Sequence, residues 1–186
     1  TAKYKAGLVK GEHLIDLTGG AGVDTYFMSE KFETVDYVEQ NEELCRLAEH
    51  NLSKKVTVHN TTAENFLSKL SILNSKLSTI YIDPARRDKN GGKVFRLADC
   101  TPNVLEILPK MRAVADTIMI KLSPMLDITS ALRSLGGTWR VHVVAVKNEV
   151  KEVLLCSSLE DKITAVDLAE GWWFEFSKEE EEQTIS

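Results

Sequence analysis

Residues 13–22 read HLIDLTGGAG, a short apolar run that contains one aspartate and leads into a turn with three glycines among its last four residues. An apolar run bounded by a turn signal is typical of a buried strand. The glycines permit positive φ angles and let a ligand approach the main chain, where a larger side chain would clash. The helix predicted next offers unpaired N–H groups in its first turn. The stretch therefore predicts a strand, a ligand-binding loop and a helix; the alternative is a structural turn of any α/β protein.

The rest of the chain continues this alternation of apolar runs and amphipathic segments. Strands are predicted at 13–17, 35–38, 56–58, 77–82, 117–122, 139–146 and 150–156. Helices are predicted at 23–32, after Asn41, at 63–73, from Pro102 and at 128–135. Such alternation gives a mainly parallel sheet with helices on both faces. Only residues 147–149 separate the last two strands, so these are predicted to form an antiparallel hairpin.

Two regions are predicted along the chain. Residues 1–158 form one α/β domain, in which 1–12 are a lead-in helix or segment. Residues 159–186 form a C-terminal extension with more β-rich sequence, which either edges the sheet or begins a further domain that is cut short. Its acidic tail, 179–182, is expected to be solvated because adjacent like charges repel.

Composition limits the class of protein. Hydrophobic residues make up 43% and charged residues 27% of the chain, as in soluble globular proteins. No apolar run approaches the ~20 residues of a membrane span. Three cysteines without a C-x-x-C pair and four scattered histidines argue against disulfides and a metal site, and predict a cytoplasmic protein. The net charge of −5 argues against a surface that coats nucleic acid, although a local basic patch remains compatible with it.

The loop after the first strand favours one class of ligand. Asp16 would repel a pyrophosphate, whereas it suits S-adenosyl-L-methionine (SAM), whose methionine part carries an ammonium group and a sulfonium. We expect Asp16, Thr18, Gly20 and Gly22 to hold that part of the cofactor. A dinucleotide oxidoreductase is the alternative, but its G-x-G-x-x-G pattern needs a third small residue where this sequence has Thr25.

Two further segments are expected to contact a nucleoside. Glu39 ends the second predicted strand, and a carboxylate there can accept hydrogens from both ribose hydroxyls. Ala63 and Glu64 follow the third strand, where such folds contact the adenine edge. For this segment a plain helix N-cap by Thr61 or Thr62 is nearly as good an interpretation.

Residues 16–22, Glu39 and Asp83-Pro84 together resemble the class I SAM-dependent methyltransferase family, over roughly 14–156. The resemblance implies a Rossmann-like α/β fold with a seven-stranded, mainly parallel sheet that ends in an antiparallel hairpin. It also implies an enzyme that uses SAM as its cofactor and makes 1–158 the catalytic domain.

The segment after the fourth strand looks like the family's D/N-P-P-aromatic motif, which in nucleic-acid amine methyltransferases binds the target amine and stacks on its base. The resemblance makes Asp83, Pro84 and Arg86 candidate catalytic residues. Ala85 replaces the second proline and Arg86 the aromatic residue, so the usual stacking ring is missing. A guanidinium can stack on a base or pair with a phosphate instead.

The substrate is predicted to be RNA, methylated at a base nitrogen. The chain also looks like bacterial RNA methyltransferases related to the trimethylguanosine-synthase group, at 83–87 and 121–124. A basic cluster lies beside the motif and is placed to meet phosphate: Arg86, Arg87, Lys89, Lys93 and Arg96. Arg86, Arg87 and Lys121 are the expected substrate contacts. The alternative for the cluster is a solvated loop, and the alternative for Lys121 is a helix-capping or structural role. The alternatives are a methyltransferase of a small molecule or protein, and a non-catalytic SAM-binding module.

Overall fold

The computed structural model describes residues 1–70, 78–85 and 97–177. The chain divides into two compact units, of which the first comprises 1–83 and 106–118 and the second 84–105 and 119–186. Each unit combines strands with helices, as the alternating sequence pattern predicts.

The first unit carries a parallel sheet in the order β3-β2-β1-β4. Its elements are α1 (Ala2–Leu8), β1 (His13–Asp16), α2 (Val23–Ser29), β2 (Thr34–Glu39), α3 (Glu42–Asn51), β3 (Val56–Asn60), α4 (Ala63–Lys69), β4 (Ser78–Ile82) and most of α5 (Val104–Val114). The central strand is buried because it has neighbours on both sides: Ile15 pairs with Asp36 and with Ile80. The carboxyl ends of these parallel strands therefore lie along one edge.

Helix α3 shows how the sequence specifies its own ends. The Asn41 side chain accepts hydrogen bonds from the main-chain N–H groups of Glu43 (2.9 Å) and Leu44 (3.3 Å), which confirms the predicted cap. On its inner face Cys45 and Ala48 pack against the buried ring of Tyr37. Helix α3 is thus fixed against β2, the strand that ends in Glu39.

The second unit carries a mixed sheet in the order β5-β7-β6-β8-β9. Strand β5 (Thr117–Leu122) enters it from the first unit and is followed by α6 (Ile128–Leu135), β6 (Trp139–Val146), β7 (Glu149–Ser157), β8 (Lys162–Asp167) and β9 (Trp172–Ser177). The β6–β7 hairpin confirms the predicted one. Its turn residues Lys147 and Asn148 have φ angles of 55° and 58°, and their N–H groups donate to the carboxylate of Asp167.

Nine strands lie within the described ranges, two more than the predicted seven. Both extra strands come from the C-terminal extension: β8 pairs in parallel with β6, and β9 pairs antiparallel with β8. The fold class is as predicted, a Rossmann-like α/β fold with an antiparallel hairpin near its C-terminal end.

Three predicted helix bounds were wrong. Helix α4 ends at Lys69, short of the predicted end at position 73, because Leu70 already has an extended backbone. Helix α5 begins at Val104, not at Pro102, and the peptide bond between Thr101 and Pro102 is cis. The Asn103 side chain accepts a hydrogen bond from the main chain of Leu105, as a helix-capping residue does. Helix α2 ends at Ser29, three residues before the predicted end at position 32. Across the described ranges, no helix combines the length and the apolar character that crossing a membrane requires.

Candidate functional site

The glycine-rich loop joins β1 to α2 and follows the backbone path that the sequence predicts. Gly20 and Gly22 have φ angles of 56° and 77°, and Gly22 is the N-cap of α2. Gly19 is required for a different reason, because a methyl group there would lie 2.1 Å from the ring of Tyr37. The Tyr37 hydroxyl donates to the main-chain oxygen of Gly20 (2.5 Å). The loop therefore lies directly on a buried aromatic ring, a contact that the sequence analysis missed.

Asp16 is buried behind this loop. Its carboxylate accepts hydrogen bonds from the N–H of Thr18 (3.0 Å) and from the hydroxyl of Thr25. Burial raises the pKa of Asp16 to about 7, with smaller contributions from the negative charges of Asp24 and Asp83, although both hydrogen bonds act to lower it. The carboxylate thus holds the loop from inside, and its contact with a cofactor stays a prediction.

The raised pKa makes stability depend on pH. The folded-state pKa of Asp16 lies above its unfolded value of 3.8. The contribution of the protonated Asp16 to the free energy of unfolding is therefore fully present below about pH 4 and is lost as pH rises through about 7. We expect the free energy of unfolding to fall by about 2 kcal/mol more in the wild type than in Asp16→Asn between about pH 5 and about pH 7.5. Urea unfolding of both proteins across this range measures the difference. Parallel pH profiles would contradict a pKa of Asp16 that burial raises.

Glu39 connects the glycine-rich loop to the start of α3. One carboxylate oxygen accepts from the N–H of Gly20 (2.9 Å) and the other from the N–H of Asn41 (2.8 Å). The side chain is half-buried at the carboxyl end of β2. Each carboxylate oxygen has a second lone pair. Glu39 can therefore accept further hydrogen bonds while it keeps the loop in place.

The segment after β3 lies next to Glu39, because the N–H of Thr61 donates to the main-chain oxygen of Glu39 (3.1 Å). Helix α4 begins at Ala63, which is buried, and has Glu64 in its first turn. The Thr62 side chain accepts from the N–H of Asn65 (3.3 Å), so the predicted N-cap by Thr62 is confirmed. The adenine contact of Ala63 and Glu64 stays a prediction.

Asp83 meets the glycine-rich loop at the end of β4. Its main-chain N–H donates to the Thr18 hydroxyl oxygen at 2.7 Å. Sequence reasoning placed Thr18 in a cofactor loop and Asp83 in an acceptor motif, and it gave no reason for a direct bond between them. The structure brings these two predicted sites together within the first unit.

The remaining predicted substrate residues are distributed differently. Pro84 begins the second unit, and Lys121 lies in β5 opposite Leu154 of β7. Arg86, Arg87 and the rest of the basic cluster (Lys89, Lys93 and Arg96) lie outside the described residues.

A buried polar cluster beside the loop was missed. The Lys5 side chain is 1% exposed, and its ammonium group lies 3.0 Å from a carboxylate oxygen of Asp24. The Tyr81 hydroxyl donates to the other oxygen of Asp24 (2.6 Å). Burial and the charge of Asp24 raise the pKa of Tyr81, so its hydroxyl stays protonated. No sequence signal marked Lys5, since its partner comes from another helix.

A second polar cluster crosses the same sheet. Ring nitrogens of His13 and His59 lie 2.8 and 2.6 Å from the two carboxylate oxygens of Asp36. Burial acts to raise the pKa of Asp36, but the two histidines outweigh it and the pKa is lowered. Neither this cluster nor any other group of His, Cys, Asp and Glu within 1–70, 78–85 and 97–177 is arranged to hold a metal ion.

Comparison with solved structures identifies the fold. A provisionally assigned methyltransferase from Porphyromonas gingivalis W83 is 33% identical with a TM-score of 0.81; the match covers 100% of this chain and 48% of that protein. The chain thus spans about half the length of that protein.

Two more distant structures share the fold at 14% identity. For a SAM-dependent methyltransferase from Agrobacterium tumefaciens the TM-score is 0.59, and the match covers 84% of this chain and 59% of that one. For an rRNA methylase from Streptococcus thermophilus the TM-score is 0.57, and the match covers 83% of this chain and 91% of that one. No protein-family model and no curated protein sequence matches the chain. The strand order within each unit and these similarities show that the chain has the fold of the SAM-dependent methyltransferases.

Proposed function

We propose that the protein is a SAM-dependent methyltransferase. The observation that carries the proposal is the hydrogen bond between Thr18 and Asp83, which joins the predicted cofactor loop to the predicted acceptor motif. Glu39 supports it, because this carboxylate lies at the end of the neighbouring strand and is hydrogen-bonded to the same loop. The similarity to the Porphyromonas gingivalis protein over the whole of this chain also supports it.

The residues present fit SAM. The loop has no side chain at Gly20 and Gly22, so a ligand can approach its main chain there. Glu39 would accept hydrogens from the ribose hydroxyls through its remaining lone pairs. The residues Ala63 and Glu64 would contact the adenine edge. Asp16 would act through the loop that it holds, and electrostatically on the cationic methionine part.

When bound, SAM supplies a methyl group that its sulfonium already activates, so the protein needs mainly to position the acceptor. Asp83 would accept a hydrogen from the acceptor amine and direct the nitrogen lone pair towards the methyl group. Positioning of this kind can supply most of the rate enhancement, because both reactants are held in a near-attack geometry.

Cofactor binding is the first test. We expect calorimetric titration to give micromolar affinity for SAM and no binding of NADH. Glu39→Gln should weaken SAM binding about 10-fold or more, because one charge-assisted acceptor of the ribose hydroxyls is replaced by an amide. Glu42→Gln is the matched control: Glu42 is exposed and pairs with Arg46 on the surface, so SAM affinity should stay within about twofold. Absence of SAM binding by the wild type would overturn the proposed cofactor.

The proposed substrate is RNA, methylated at a base nitrogen. We also propose that the protein is related to the RNA methyltransferases of the trimethylguanosine-synthase group. The basic residues that follow Asp83 in the sequence and the fold shared with the Streptococcus thermophilus rRNA methylase support it. RNA retention that falls steeply with salt and is lost in Arg86→Ala/Arg87→Ala is expected. Methylation of a small molecule or protein without RNA retention would favour the alternative class.

A further inference from the structure

Helix α1 places a buried ammonium group next to the proposed site. Lysine is rarely fully buried unless it is paired, and the Lys5 side chain is only 1% exposed. Its ammonium group contacts Asp24, in the first turn of α2, and the Asp24 side chain is itself only 20% exposed. The pair therefore fixes the start of α2 relative to α1, close to the end of the glycine-rich loop.

From Asp24 the contacts continue to β4. The Tyr81 hydroxyl donates to Asp24, while the main-chain oxygen of Tyr81 accepts from the N–H of Leu17 (3.0 Å). Tyr81 is 1% exposed, so its hydroxyl would be costly to leave without a partner. Two residues further on is Asp83, whose N–H is bound by Thr18. Lys5, Asp24 and Tyr81 thus form a continuous chain of contacts that ends beside Asp83.

The negative charges near Asp24 explain why this series of contacts needs an ammonium group. Asp16, Asp24 and Asp83 interact electrostatically, since the charges of the last two act on the pKa of Asp16. Without Lys5, Asp24 would be a largely buried carboxylate near two others. Such a buried charge without its partner turns towards solvent, and this movement weakens the hydrogen bond that Asp24 accepts from Tyr81.

We propose that Lys5 is a positioning residue for methyl transfer, which acts through Asp24 and Tyr81 to fix the end of β4 where Asp83 receives the acceptor. This role rests on the proposed function. It gives Lys5 a part in methyl transfer although Lys5 need not touch the cofactor or the acceptor.

The first test is independent of activity. Lys5→Met keeps an apolar side chain as long as the lysine stem and removes the terminal ammonium group. We expect it to raise the hydrogen-exchange rate of the Asp83 main-chain amide about 10-fold, because the end of β4 opens more often. Lys3→Met is the matched control on the same helix, since Lys3 is exposed and lies over the ring of Phe27. Unchanged exchange at Asp83 in folded Lys5→Met would overturn the proposal.

Tyr81→Phe serves if Lys5→Met fails to fold, because it removes only the hydroxyl that joins β4 to Asp24. The same increase in Asp83 exchange is expected, and its absence would equally overturn the proposal.

The second test separates positioning from simple structural support. In Lys5→Met we expect kcat for methyl transfer to fall about 10-fold while KM for SAM stays within about twofold, and Lys5→Arg should restore part of kcat. Normal kcat in Lys5→Met would overturn the positioning role alone. If the wild type transfers no methyl group but Lys5→Met still raises hydrogen exchange at Asp83, the proposed function is overturned. The contacts from Lys5 to Tyr81 would then have a structural role only.

Discussion

Asp83→Ala is expected to lower methyl transfer from labelled SAM to RNA by about 100-fold at saturating cofactor. The reason is geometric: Thr18 holds the Asp83 main chain at the end of β4, where the proposed mechanism needs the carboxylate to accept a hydrogen from the acceptor amine. The cofactor loop does not depend on that side chain, since the hydrogen bond comes from the main-chain N–H. SAM affinity should therefore stay within about threefold, and the loss should appear in kcat.

Asp83→Asn is the matched variant. It keeps a carbonyl acceptor in the same place and removes the charge, so we expect a loss of about 10-fold, well short of that in Asp83→Ala. Equal activity in Asp83→Ala and the wild type would remove Asp83 from the proposed mechanism. An equal loss of SAM binding and activity would assign Asp83 to cofactor binding.

Gly19→Ala should destabilise the protein by about 3 kcal/mol, because its methyl group would overlap the ring of Tyr37 at 2.1 Å. The ring has little room to move: Tyr37 is fully buried between Cys45 and Ala48 of α3, and its hydroxyl is bound to Gly20. We expect the melting temperature to fall by about 6–12 °C. Thermal unfolding followed by circular dichroism measures this.

Gly7→Ala provides the contrast, because nothing lies within 4 Å of the added methyl group and the residue is in helix α1. It should stabilise the protein by about 0.5 kcal/mol. If the ring causes the loss in Gly19→Ala, adding Tyr37→Leu should cost less than the sum of the two single changes. Strict additivity would mean that the loop is destabilised for another reason.

Much of the fold was predictable because short apolar runs and glycines are local signals. The strand that ends at Asp16, the cap at Asn41 and the hairpin around 147–149 each depend on a few adjacent residues. Strand pairing is not local. The β-rich sequence of β8 and β9 was recognised, but nothing in a single sequence could decide whether β8 pairs with β6 or belongs to a further domain.

The sequence predicts which residues form the candidate site, but it does not predict the contacts between them. Asp16 and Glu39 were chosen for their positions at strand ends, Thr18 for its place in the glycine-rich loop and Asp83 for its resemblance to the family motif. The structure connects them through loop hydrogen bonds. Lys5 was missed because its partner, Asp24, comes from a separate helix. The contact between Tyr37 and the loop was missed for the same reason. The sequence of β2 does not indicate that the Tyr37 hydroxyl binds the main-chain oxygen of Gly20.

The placement of β8 beside β6 affects the order in which the chain can fold. Strands β6 to β9 contact one another through pairs that are close in sequence, such as Val141 with Ile163 and Ile163 with Phe176. In the first unit β1 pairs instead with the more distant β4, where His13 lies opposite Ser78. Closing that longer loop costs more conformational entropy, and distant pairings form more slowly. We therefore expect the C-terminal strands to assemble before β1 closes against β4, the pairing that also brings Asp83 to Thr18.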